Sequence, residues 1–292
     1  MLLALPLRLF LNMFGRNMSN ENCFIQPDLA GAEARVVAYT CGSQRMIDLF
    51  DDPTKNVHLE NAFKIFGHYP KKDSPDYVLA KKCVHAANYR ISAGYFSTVA
   101  SLTLAKATQL LEAYHYSNPE VRCWHEWVRE TIATKGFLKT PFGRERIFAT
   151  ARAELIMTGK ISNNSWKDAI SYVPQATVPD VANKGMLALW KSPIGKELRF
   201  LHQGHDSFLC ACPVEKLGEA ATHLMKCLTI PFEITDIKGI KRILSIPVDM
   251  AWGFSWGAMK GWKGEEIASF SDWERWVVEK NIKKDIKESL LA

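Results

Sequence analysis

The sequence predicts an α+β fold: an antiparallel sheet drawn from both ends of the chain, with a helical segment inserted between them. Three observations predict it. A strand-like run at residues 23–27 (Cys-Phe-Ile-Gln-Pro) ends at Asp28, close to the start. Two further extended runs, 198–203 and 207–212, flank Gly204-His205-Asp206 and read as a hairpin with an acid at its tip. Between these strands, from about residue 43 to 175, the apolar pattern is mostly helical.

After Asp28, small residues give way to a helical pattern in which Val36, Val37 and Tyr39 pack inward. Residues 79–89 lack Pro and Gly and can form three helical turns. Asn118-Pro119 is a helix start, with Asn as cap and Pro in the first turn. That helix carries Val121, Trp124 and Val128 on one face, with Trp127 beside them, and stops at Lys135-Gly136. The runs 137–140 and 146–148 flank Pro141-Phe-Gly-Arg144 as a second hairpin. Helices are expected over 180–191 and 214–228, and a further strand over 246–252. A Trp- and Lys-rich tail closes the chain. With no internal repeat or low-complexity linker, the segments 1–42, 43–165, 166–260 and 261–292 are expected to pack into one body.

Composition narrows the class. A chain of 292 residues, 47% hydrophobic, can bury a sizeable core, and 23% charged residues exclude a disordered one. The net charge of +6 fits a phosphate-rich partner without specifying it. Cysteines at 23, 41, 83, 123, 210, 212 and 227 are odd in number and form no CxxC pair. This argues against a disulfide framework or a zinc knuckle and for a reducing compartment. Cys210 and Cys212 share one strand face and read as small core residues. Arg8 interrupts the apolar start, and no other stretch is long enough to cross a bilayer, so no membrane partner is expected.

Asp28 ends one strand and Asp206 sits on a hairpin tip far along the chain. Singly, the first reads as a helix cap and the second as a turn residue. If their strands are neighbours, the two carboxylates converge at the sheet edge. Converging carboxylates bind hard divalent cations through oxygen, and two such ions about 4 Å apart serve phosphoryl transfer. On a helix, Lys81, His85 and Tyr89 share one face, where Lys can meet a triphosphate and the two rings can meet a base.

Six short stretches in order resemble motifs of the family A DNA polymerases. Asp28-Leu-Ala-Gly-Ala-Glu33-Ala-Arg35 is similar to the first, and Gln203-Gly-His205-Asp206-Ser207 to the last, whose Ser is found in many phage and mitochondrial members. Between them, Asn56-Val-His58, Lys81-Lys-Cys-Val-His85-Ala-Ala-Asn-Tyr89, Pro141-Phe-Gly-Arg144-Glu-Arg146 and Val173-Pro-Gln175-Ala-Thr177 resemble the intervening motifs. The resemblance covers roughly residues 12–260.

The resemblance implies an antiparallel-sheet palm with an inserted helical fingers subdomain: palm at 1–42 and 166–260, fingers with a basic hairpin at 43–165, then the tail. It implies Asp28 and Asp206 as catalytic residues, with Asp28, Leu29 and Asp206 holding two Mg2+ ions. Lys81 and His58 would meet the triphosphate, His85 would take the family's Phe/Tyr position, and Tyr89 would stand near the templating base. Glu33 would crowd the 2′ position of the incoming sugar. Gln175 would contact the minor-groove side of the terminal pair and His205 the primer-terminal phosphate. Arg35, Arg144, Arg146 and Lys167 are the remaining DNA-binding candidates. For Arg35 a structural ion pair is an equally good reading, as is a tight-turn role for His205.

Four departures stand out. Tyr77 replaces an Arg, Arg90 replaces the Gly after the fingers tyrosine, and Lys167 and Ser171 stand where Arg and Asn are common. In addition, nothing corresponds to a thumb or an exonuclease domain. The expectation is a template-directed DNA polymerase core, phage-like and cytoplasmic (bacterial host cytoplasm if phage-encoded). Its partners are primer-template DNA, dNTPs and a separate thumb- or exonuclease-bearing polypeptide, as part of a split or truncated enzyme. Competing readings are a noncatalytic DNA-binding remnant and a single-subunit RNA polymerase, against which Glu33 argues.

Overall fold

The computed structural model describes residues 22–262, so the apolar start and most of the tail lie outside the described residues. Strand β1 (Asn22–Leu29) comes first, followed by α1 (Ala32–Cys41), α2 (Gln44–Asp51), α3 (Val57–Phe66) and α4 (Pro75–Asn88). Next come α5 (Ala93–Ala100), α6 (Leu104–Ser117) and α7 (Pro119–Lys135). A small hairpin, β2 (Phe137–Lys139) and β3 (Glu145–Ile147), leads to α8 (Ala149–Thr158) and the long α9 (Asn163–Trp190). Strands β4 (Arg199–Gln203) and β5 (Phe208–Pro213) precede α10 (Leu217–Leu228). The described chain ends with β6 (Phe232–Thr235), β7 (Lys241–Leu244), β8 (Val248–Gly253) and β9 (Lys260–Gly261).

These elements form two compact units. Among the described residues, a sheet unit holds 22–30, Val181–Ile230 and 246–262; a helical unit holds Gly31–Asp180 and Pro231–Ser245. In the sheet unit the strand order is β4-β5-β1-β8-β9. The β4, β1 and β8 pairings are all antiparallel, as expected. Central strand β1 buries Cys23, Phe24 and Ile25 completely, and all of Phe208–Cys212 in β5 is buried. Helix α10 covers this sheet with Leu217, Ala220, Ala221, Leu224 and Leu228, spaced along one face. Cys23 and Cys212 are cross-strand partners with sulfurs 3.7 Å apart.

The helical unit follows its local signals closely. Ser74 caps α4 through Tyr77 N and Pro75 begins it; Asn56 caps α3 through His58 N and Leu59 N. Helix α7 buries Val121, Trp124 and Val128 completely. Its expected Asn cap is not a side-chain cap: the Asn118 amide donates to Tyr114 O at 2.9 Å, and its oxygen accepts from Arg45. Val36, Val37 and Tyr39 of α1 are buried as expected.

Two expectations need correction. The helix expected at 180–191 starts at Asn163 and passes through Pro174 and Pro179. Prolines disfavour a helix interior, but Ile170, Val173, Val178, Val181 and Ala182 are buried along it, and packing outweighs local propensity. The β6–β7 hairpin was not expected. Its turn is organised by Asp236, which accepts from Lys238 N and Ile240 N and pairs with Arg242. Gly42, at φ 69°, caps α1 where an added Cβ would lie 2.6 Å from Asp236 Oδ2, so glycine alone fits. Among the described residues no helix is long and apolar enough to cross a membrane.

Candidate active site

Asp28 and Asp206 are neighbours in the sheet unit. Asp28 stands one residue from the end of β1, directly opposite Asp249 on β8, and forms an isolated antiparallel bridge with Ser207 on its other side. Leu29 N donates to Asp206 O at 2.9 Å, and Ala30 N donates to Pro247 O at 2.9 Å. The tip of the β4–β5 hairpin is closed by Gly204 N donating to Ser207 O at 2.7 Å. Backbone hydrogen bonds therefore set Asp206 beside the end of β1.

The electrostatics are unfavourable as they stand. Asp28 is half-buried, and its carboxyl is pushed up to about 6, first by burial and then by repulsion from Asp206 and Asp249. Like charges directly opposite on paired strands destabilise a sheet. A divalent cation reverses this balance, and carboxylate oxygens are the donors that Mg2+ prefers. Among the described residues no group of three or more His, Cys, Asp or Glu forms a ready metal cage. Mg2+ typically takes one or two carboxylates, completing its shell with water and substrate oxygens, so the pair present fits its chemistry. Asp249 was missed from the sequence, although an acid inside an otherwise apolar strand was a visible signal.

The helical unit holds the remaining nucleotide candidates. Tyr89 OH donates to Glu33 Oε2, joining two residues whose roles were expected to be separate. Burial and the Glu33 charge push the Tyr89 hydroxyl pKa up. His85 stands edge-on to Tyr89 at 4.8 Å, and both His85 and Lys81 are exposed. Tyr77, the departure from Arg, is buried: His58 of α3 meets its ring edge-on at 5.8 Å, and Lys81 Nζ lies 5.8 Å from its centre. Burial, then the Lys81 charge, lowers His58 to about 4, so its ring is neutral near pH 7.

The basic candidates are tied to internal partners. Arg35 lies 3.9 Å from Asp51 and over the Phe50 ring at 4.8 Å, and Tyr39 OH donates to the same carboxylate. The structural reading of Arg35 is thus present. Arg144 pairs with Asp180 at 3.0 Å and donates to Ala176 O, while Arg146 pairs with Asp168 at 3.4 Å. Lys167 and Gln175 are exposed on α9, eight residues apart and so near one face. His205 is exposed at the hairpin tip.

The family model for DNA polymerase family A matches residues 12–258. Thermostable DNA polymerase I of Thermus thermophilus is 26% identical over 235 residues, covering 80% of this chain and 27% of that protein. Thermus filiformis DNA polymerase I is 28% identical over 196 residues, covering 66% and 23%. Chloroflexus aurantiacus DNA polymerase I is 25% identical over 241 residues, covering 81% and 24%. The chain therefore spans about a quarter of the length of these relatives. Among solved structures, the POL domain of Pol1 from M. smegmatis, in complex with DNA primer-template and dNTP, superposes with a TM-score of 0.67 at 18% identity. That match covers 81% of this chain and 40% of the other, and it bears out the α+β fold.

Proposed function

Because the chain belongs to DNA polymerase family A, we propose that it is the catalytic core of a template-directed DNA polymerase, adding deoxynucleotides to a primer 3′-OH and releasing pyrophosphate. The observation that carries this reading is the Asp28–Asp206 pair, set side by side by backbone hydrogen bonds and crowded by like charge. Asp28, Leu29 through its carbonyl, and Asp206 would hold two Mg2+ ions. When bound, such ions neutralise phosphate charge and activate the attacking oxygen.

The chain's own residues do the positioning. Lys81 meets the triphosphate as a point charge, and neutral His58 offers it a hydrogen bond. His85 presents a flat face to the base. Glu33, steadied by the Tyr89 hydroxyl, crowds the 2′ position and disfavours ribonucleotides. Tyr89 stands near the templating base. Gln175 reaches minor-groove acceptors common to all base pairs, which checks geometry without reading sequence. His205 contacts the primer-terminal phosphate, and Arg35, Arg144, Arg146 and Lys167 contact DNA phosphates, which fix register. As in other phosphoryl transfers, catalysis is mostly positioning and charge stabilisation.

In this reading the palm spans 1–42 and 166–260, and the fingers span 43–165. A separate thumb- or exonuclease-bearing polypeptide completes a split or truncated enzyme in the cytoplasm. The test is primer extension with Mg2+ and either dNTPs or rNTPs, using wild type and Asp206→Ala, with any neighbouring thumb-bearing polypeptide added. The reading expects dNTP incorporation that falls in the variant by on the order of a thousandfold, as when a central catalytic group is removed. Incorporation of rNTPs alone, or DNA binding without any extension, overturns it.

A further inference from the structure

Strand β8 carries one acid among apolar residues, Val248-Asp-Met-Ala-Trp252, and the reading above gives that acid no role. Sheet register fixes where Asp249 stands. Asp28 pairs with Asp249, while Pro27 pairs with Met250 and Ile25 with Trp252. Side chains alternate across a strand, so Asp249 shares the face of Asp28 and Met250 and Trp252 take the other. That other face is core: Ile25 is wholly buried, Met250 is 5% exposed and Trp252 3%. A slip of one residue would bury Asp249 and expose both neighbours, so the register has no near competitor.

The start of β8 is pinned as well. Ala30 N donates to Pro247 O at 2.9 Å, and Ile246 is wholly buried. On the other flank of Asp28, the bridge to Ser207 and the bond from Leu29 N to Asp206 O fix the hairpin tip. Asp28 is therefore bracketed, with Asp206 on one side and Asp249 on the other.

Charge sets this trio apart from the other acids of the chain. Asp51, Asp168, Asp180 and Asp236 each pair with an arginine. Asp249 is exposed and pairs with no cation among the described residues. Like charges directly opposite on paired strands repel, yet the ladder holds Asp28 and Asp249 together. Three neighbouring carboxylates without a cationic partner lack positive charge. They form no ready cage among the described residues, so the part left to Asp249 is charge and not ligation. Coulomb attraction falls only inversely with distance, and a carboxylate near a divalent ion raises its affinity without touching it.

We propose that Asp249 is a positioning carboxylate of this site, strengthening the hold of Asp28 and Asp206 on a divalent cation by its charge and its place opposite Asp28. The inference rests on the polymerase reading and adds a residue to its cation site. The experiment titrates the full chain with Mn2+ alone and reads the bound ion by electron paramagnetic resonance. Wild type, Asp249→Asn, Asp249→Glu and Asp28→Asn are compared, and thermal unfolding in a chelator is recorded for each.

The expected result is that Asp249→Asn weakens Mn2+ binding about tenfold, the order of one screened charge near a divalent ion. Asp249→Glu keeps the charge and stays within about threefold of wild type. Asp28→Asn abolishes binding. In the chelator Asp249→Asn melts no lower than wild type, because it removes repulsion.

If Asp28→Asn abolishes binding and Asp249→Asn does not weaken it, Asp249 has no such part while the polymerase reading stands. The inference is also overturned if Asp249→Glu weakens binding as much as Asp249→Asn, or if Asp249→Asn melts lower in the chelator. Either outcome marks a structural role. If wild type binds no Mn2+, or binding survives Asp28→Asn, both readings fall together.

Discussion

At the end of β1, Asp28 faces Asp206 and Asp249, held there by strand register and by backbone bonds such as Leu29 N to Asp206 O. In the helical unit the candidate residues lean on one another instead: Glu33 on Tyr89, Arg35 on Asp51, Arg144 on Asp180 and Arg146 on Asp168. The difference follows from what does the holding. A β ladder anchored by buried core residues can keep repelling groups together, whereas long side chains relax towards the nearest opposite charge. In the proposed reading a cation would join carboxylates that the ladder already holds, whereas a ligand of the helical unit would displace internal partners.

Acid should separate the two units most strongly. His58, His115 and His125 each have a folded pKa of about 4, below the ordinary 6.5. Their contribution is present above pH 6.5 and is lost as the pH falls towards 4, because protons bind the unfolded chain first. Asp28 acts in the opposite sense. Its folded pKa of about 6 exceeds the ordinary 3.8, so without metal its burial cost shrinks as the pH falls through that window. At about pH 5 the helical unit should lose roughly 2–3 kcal/mol from the three histidines, after discounting for solvent screening. Amide hydrogen exchange in a chelator, read separately for the two units, checks this; equal loss in both breaks the contrast.

A smaller effect tests the internal ties. Tyr89→Phe removes the hydroxyl that donates to Glu33 and should destabilise the chain by about 1–2 kcal/mol, as for a hydrogen bond to a charged group. In extension assays the same variant should relax discrimination against ribonucleotides, because Glu33 loses its support. Urea unfolding and a dNTP/rNTP comparison read the two outcomes. Unchanged selectivity would mean that the tie does not position Glu33.

The smallest effect belongs to the surface. Asp168→Asn frees Arg146 from an exposed pair and should change stability by less than about 0.5 kcal/mol. DNA affinity should rise modestly, with a steeper salt dependence as Arg146 engages phosphate. An affinity that falls would show that Asp168 helps to aim Arg146.

Much of the fold was legible because its signals are local. Ser74-Pro75 began a helix, Lys135-Gly136 ended one, and Gly204-His205-Asp206 stood between two strands. Long α9 was harder to see, since its prolines argue for a break and only the packing of Ile170 to Ala182 overrides them. Hairpin β6–β7 was passed over although Phe232 and Ile234 alternate with exposed residues, because its turn depends on Asp236 pairing with Arg242.

By itself, the sequence determined the ordered motifs, the spacing that sets Lys81 and His85 on the exposed side of α4, and the two acids near strand ends. These are short-range properties of spacing and propensity. Tyr89, in contrast, turns out to be the buried C-cap of α4 and not part of its exposed stripe. Only the tertiary structure decided that β1 lies between β5 and β8, which brings Asp249 opposite Asp28, and that Tyr89 holds Glu33 across 56 residues of chain. The physical reason is that register and side-chain pairing are settled by packing between distant segments. No local pattern encodes which of several nearby carboxylates or cations a side chain will finally meet.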